Sequence, residues 1–126
     1  MAINPTSDRN AKEHFAAVDG RSVLEKVAML PIESWNFKKN PGIRHIGPMA
    51  QDFHAAFAVG SDDRHIATVD ADGVALAAIQ GLNQIVNEQQ AALRQKDGEL
   101  QSLQRRLEVL ERAVLGSPTA LNRGGK

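Results

Sequence analysis

The 126-residue chain has no cysteine, no tyrosine and only five aromatic residues, four Phe and one Trp. Without cysteine it has neither a disulfide framework nor a thiolate metal site, and its redox compartment stays open. An excess of either charge is also lacking: fifteen Lys and Arg stand against fifteen Asp and Glu. The segments on either side of residue 70 are balanced too, eight basic against nine acidic and then seven against six. That balance leaves no electrostatic footprint for nucleic acid or an anionic membrane. The opening MAINPTSDRN has none of the apolar core of a signal peptide, and no apolar run approaches the length of a membrane span. Neither nucleic acid nor membrane is expected as a partner. The length allows one domain, or one small domain with an extended element.

What is present divides sharply near residue 72. All five aromatics (Phe15, Trp35, Phe37, Phe53, Phe57) and four of the five prolines precede it, and Leu, Gln, Glu and Arg dominate after it. With Ile79 as heptad position a, the a positions are Ile79, Val86, Leu93, Leu100, Leu107 and Val114. The d positions are Leu82, Gln89, Lys96, Leu103 and Leu110. Nine of these eleven are aliphatic in an unbroken 3-4 alternation, the pattern of a coiled-coil seam. Gly98 falls at f, the outermost position, where it costs about 1 kcal/mol of helix propensity and no seam contact. Arg106 at g and Glu111 at the following e suit pairing between chains. Gly116-Ser117-Pro118 ends the helix, and residues 116–126 read as a disordered tail. A rod over 73–115 would be roughly 60 Å long at 1.5 Å per residue.

The 70 residues upstream are too few to cover such a stripe, so an oligomer is expected. Heptads alone leave its number open. β-Branched residues at a with Leu at d favour dimers, Leu at a shifts the balance, and this seam mixes both. Gln89 and Lys96 at d read as register devices that lower stability.

Residues 7–72 read as a small α+β unit. Ser7 or Asp8 can cap a helix over 10–18, ended by Asp19-Gly20. A second helix over 21–30 presents Val23, Leu24, Val27 and Leu30 on one face and stops at Pro31. Segments 32–37 and 43–46 form a hairpin around Lys38-Lys39-Asn40-Pro41-Gly42. Pro48 opens a third helix to about Ala58, with Met49, Phe53 and Phe57 inward. A loop at 60–63, a short strand over 66–69 and Asp70-Ala71-Asp72-Gly73 then lead into the rod. So few aromatics make a marginal core, completed by association.

Most candidate chemistry fails on spacing. His14, His45, His54 and His65 lie nine or more residues apart, without the spacing that places two imidazoles on one metal. Asp62, Asp63, Asp70 and Asp72 lack the twelve-residue loop and closing Glu of a calcium site and read as turn residues. No Gly-rich phosphate cradle or nucleophile elbow is present. No metal and no cofactor are expected. One arrangement survives: Ser7, five residues before Lys12. A neutral lysine amine can take the hydroxyl proton of a serine, whose alkoxide then attacks a carbonyl. Residues i and i+5 stand about 140° apart on an α-helix, so Ser7 must precede the helix and Lys12 fold back. The plain alternative is a serine N-cap beside a solvated lysine.

The strings SDRNAKEHF, VLEKVAMLPIESWNFK, RHIGPMAQDFHAAF and DDRHIATVDADGVALAAIQGLNQ, in that order, resemble the intramolecular chaperone auto-processing family. These are the C-terminal domains of phage endosialidases, tailspikes and tail fibres. The resemblance runs from Ser7 to about Gln84. The SD-x-R-x-K type opening is matched by Ser7, Asp8 and Lys12, with the arginine one place early at Arg9. The G-x-x-AQ segment is matched by Gly47, Ala50 and Gln51. The resemblance implies a homotrimer that registers the upstream fibre or tailspike segment of the same polypeptide. It further implies cleavage of the Thr6–Ser7 bond, Ser7 being nucleophile and Lys12 general base. Such a domain works in the host cytoplasm during phage or prophage assembly, or at a bacterial surface. Residues 1–6 then read as the remnant of an upstream linker.

Overall fold

The computed structural model describes residues 4–116. Met1–Ile3 and the tail from Ser117 on, expected above to be linker and disordered end, lie outside the described residues. The fold is built from caps and breakers along the chain. Asp19 has extended backbone, and its carboxylate accepts the Arg21 N–H at 3.1 Å, starting α1, Gly20–Met29. Leu30 leaves the helix with extended backbone, as the residue before a proline must. The expected face, Val23, Leu24, Val27 and Leu30, is the half-buried one.

After Pro31 come β1, Glu33–Trp35, and β2, His45–Gly47, which pair antiparallel with Ser34 opposite Ile46. Two backbone hydrogen bonds, Asn40 N–H to Phe37 O at 2.9 Å and Ile43 N–H to Asn40 O at 3.2 Å, shape the connecting turn. Trp35, Phe37 and His45 cluster on the hairpin, ring centroids 4.9–5.4 Å apart, and the Trp35 indole N–H donates to the Gly47 carbonyl at 3.3 Å. Arg44 spans the hairpin, donating to Asn36 Oδ1 at 2.8 Å and Ser34 Oγ at 3.0 Å. Three-residue strands do not stand alone; these side chains hold them.

Helix α2, Ala50–Phe57, follows Pro48 and packs against α1. Phe53 is buried and stacks obliquely on Phe57 at 4.9 Å. The chain turns out of α2 at Ala58, in the left-handed region at φ 51°. The last element is α3, Thr68–Leu115, ended by Gly116 at φ 63°. The architecture is thus the α+β one expected: short helices and a small hairpin, then one long C-terminal helix.

By its contacts the chain falls into two compact units, one through Gln84 and one from Ile85. In the first, α1 meets α3 at two glycines. A Cβ on Gly20 would lie 2.7 Å from the Ala77 carbonyl oxygen, and one on Gly81 would collide with the Gly20 carbonyl. Backbones approach this closely only where neither residue has a side chain. An apolar cavity of about 340 Å³ opens beside this crossing, lined by Val18, Val23, Phe57, Val59, Val74 and Ala77 among others. Phe53 and Ala78 are the only buried hydrophobics among the described residues.

Two expected elements are absent. The helix over 10–18 is replaced by a 3-10 turn, Arg9–Ala11, followed by non-helical chain with His14 left-handed at φ 54°. A nine-residue helix needs a packing partner to persist in water, and here Phe15 and Val18 stay about two-thirds exposed. The strand over 66–69 does not form either. Helix α3 starts at Thr68 and runs through Asp70–Gly73, with Asp70 favourably placed in its first turn. The compositional break near residue 72 therefore lies inside a helix.

Candidate functional site

Residues 7–12 form a closed loop of chain around one 3-10 turn. Asp8 is the N-cap: it is extended (φ −65°, ψ 131°) and its carboxylate accepts the Asn10 N–H at 3.0 Å. The Ala11 N–H reaches the Asp8 carbonyl at 3.0 Å, and the Lys12 N–H reaches the Arg9 carbonyl at 3.2 Å. Lys12 then leaves extended, at φ −120° and ψ 156°. Chain that enters and leaves a single turn extended brings the flanking side chains together. Here Lys12 Nζ donates to Ser7 Oγ at 2.6 Å. That contact lies at the short end of hydrogen-bond distances.

The cap is Asp8, so the Ser7 hydroxyl faces Lys12. The separation of five residues is bridged by a 3-10 turn and not by an α-helix. Chemically, the pair can move one proton between a hydroxyl and an amine. With the amine neutral, the same hydrogen bond reverses, and the hydroxyl donates to the nitrogen lone pair. Exclusion of water favours that neutral form. Ser7 and Lys12 are both exposed among the described residues.

The other titratable residues are dispersed. His14 is exposed, with Nε2 3.5 Å from Glu13 Oε2. His45 belongs to the hairpin cluster. His54, on α2, is half-buried with Nδ1 unpartnered. His65 Nδ1 lies 3.0 Å from the Asp62 carboxylate. Asp62 also accepts the Arg64 and His65 N–H groups at 2.8 and 2.9 Å. These hydrogen bonds, Arg64 N–H first and the His65 ring second, hold its carboxyl below the usual range. Asp62 thus orders the loop into α3, a part that its spacing alone did not reveal.

The heptad positions lie on α3. All nine aliphatic a and d residues are exposed, from 39% at Val86 to 79% at Val114. Of the two polar d residues, Lys96 pairs with Glu99 on its own helix at 3.3 Å, and Gln89 is exposed. Among the described residues no helix is long and apolar enough to cross a membrane.

Compared with known families, residues 7–59 match the family model described as the chaperone of endosialidase. The resemblance noted from sequence motifs therefore holds over that span, which contains the 3-10 turn, α1, the hairpin and α2, and it supports an intramolecular chaperone role. No curated protein matches the chain.

Proposed function

We propose that this chain is an intramolecular chaperone that trimerises, aligns an upstream tail-fibre or tailspike segment of the same polypeptide, and then cuts itself once at Thr6–Ser7. In this assignment residues 7–72 are the processing domain and 73–115 the coiled coil. The observation that carries it is the 2.6 Å hydrogen bond between Lys12 Nζ and Ser7 Oγ. The family match begins at Ser7 itself, which is where a released domain would begin.

The step is an acyl shift followed by hydrolysis. Lys12 takes the Ser7 hydroxyl proton as Oγ attacks the Thr6 carbonyl carbon through a five-membered ring. The tetrahedral centre collapses by breaking the C–N bond, and Lys12 returns the proton to the departing Ser7 nitrogen. Thr6 is left as an ester on Ser7 Oγ. Water then cleaves the ester, giving a Thr6 carboxylate and restoring the Ser7 hydroxyl. One turnover per chain suffices.

The exposed seam supports the assembly half of the proposal. Three chains that must interlace meet a large entropic barrier to register. A coiled-coil clamp raises their effective concentration and fixes the alignment. Removing the clamp afterwards closes the easy path back to unfolding and leaves the client kinetically trapped. The exposure of Ser7 and Lys12 in a single chain favours a second reading, a cap that trimerises without cutting.

A fusion carrying a trimeric β-fibre segment upstream of Met1 separates the two. It is expected to split at Thr6–Ser7 without added protease. Ser7→Ala abolishes the cut, and Lys12→Arg does the same because guanidinium keeps its proton at neutral pH. Both variants still trimerise. A parent fusion that forms a trimer and stays whole leaves only the cap.

A further inference from the structure

The turn that joins Ser7 to Lys12 is held by very little. It spans three residues, none of them buried, and its neighbours from Asn4 to Asp19 are exposed as well. No packed face therefore sets the distance between the two functional side chains. Three hydrogen bonds define the turn, and two of them are backbone to backbone, independent of side-chain identity. The third is the 3.0 Å bond from the Asn10 N–H to the Asp8 carboxylate. Asp8 is thus the one side chain whose chemistry closes the turn. It also fills the cap position that Ser7 would otherwise compete for.

We infer that Asp8 is a positioning residue for the Ser7–Lys12 pair, acting through the turn and not on the reacting atoms. This rests on the self-cleavage proposed above. The carboxylate fixes the Asn10 N–H, the turn closes, Lys12 emerges extended at ψ 156°, and its amine arrives at Ser7 Oγ. Without an acceptor at position 8 the turn opens for part of the time, and the amine leaves the hydroxyl in the same proportion. The requirement is for a short side chain with an acceptor oxygen. Asn meets it as well as Asp, and Ser nearly so, whereas Ala does not.

The test follows the chain, with a trimeric β-fibre segment fused upstream of Met1, through cell-free synthesis, and reads the first-order rate of cleavage. Asp8→Ala is expected to slow cleavage by roughly fivefold or more, the usual effect of a lost cap. Asp8→Asn should restore most of the parent rate. Its pH–rate profile should keep the parent midpoint, since a cap acts by geometry and not by charge. Crystal structures of the Asp8→Ala and Asp8→Asn chains read the Ser7 Oγ to Lys12 Nζ distance whether or not the parent is cut. The hydrogen bond should be lost in the first and kept in the second. An Asp8→Ala chain that keeps the bond or cuts at the parent rate overturns the inference. So does an Asp8→Asn chain as slow as Asp8→Ala, or one with a displaced midpoint. A parent that stays whole overturns the peptidase proposal instead, and the two distances still decide the role of Asp8.

Discussion

Asp8, Asp19 and Asp62 do similar local work: each accepts a backbone N–H two residues ahead and so starts a turn or helix. Asp62 accepts two more hydrogen bonds, from the His65 backbone and ring, and its carboxyl is held below its ordinary value, foremost by the Arg64 N–H. The sign of the linkage is that of a depressed acid. The loop gains order from Asp62 above pH 3.8, the ordinary value, and loses it as the pH falls through the lowered one. A carboxyl chemical-shift titration should place the Asp62 midpoint below 3.8. In Asp62→Ala the Arg64 and His65 amides should exchange faster with solvent at neutral pH. A midpoint at or above the ordinary value contradicts the hydrogen-bond geometry. At the dyad, by contrast, spacing suggested the pair and only coordinates showed that it closes.

Among the elements, the crossing of α1 and α3 is the most constrained. Gly81→Ala places a Cβ against the Gly20 carbonyl and the Arg21 amide, which are backbone atoms without freedom to rotate away. It should destabilise the first unit by roughly 1–3 kcal/mol, as overpacking does, read as a lower denaturation midpoint. Ala58 is the opposite case. It caps α2 at φ 51° and ψ 41°, a region unfavourable to any side chain. Ala58→Gly should therefore raise stability by about 1 kcal/mol. A loss on that substitution means the left-handed cap is not kept in solution. Helix α3 illustrates how length overrides local signals: Asp70-Ala71-Asp72-Gly73 has the composition of a loop, yet a 48-residue helix runs through it.

At the scale of the whole chain, large apolar side chains are mostly exposed among the described residues. Twenty-one large hydrophobic side chains are exposed, against two buried hydrophobic residues among those described, and such patches mark association surfaces. Burying the exposed part of each seam leucine contributes about 1 kcal/mol per side chain. The double variant Leu103→Asp with Leu107→Asp places unpaired charge at adjacent d and a positions. Sedimentation equilibrium should show a trimer for the parent and a monomer for the variant at micromolar concentration. An unchanged mass for the variant refutes the heptad assignment, and a monomeric parent refutes assembly altogether.

The long helix, α1 and α2 were legible because their signals are local and periodic: a 3-4 alternation, an apolar face, a proline after the last turn or just before the first. The hairpin was legible for the same reason, as two short β-type runs around Asn40-Pro41-Gly42. Ser7 and Lys12 could be named from residue types and spacing, without their geometry. What the tertiary structure decided lies where competing local preferences are nearly equal. Residues 10–18 have helix-forming composition, but Phe15 and Val18 stay about two-thirds exposed, so a single 3-10 turn prevails. Gly20 reads as a helix stop until Gly81, sixty-one residues on, comes against it and makes it a packing surface. Choosing Asp8 over Ser7 as cap, and so freeing the serine for Lys12, is a difference of one hydrogen bond. Residue preferences at a cap are too close to make that choice, and it was made by the path of the chain.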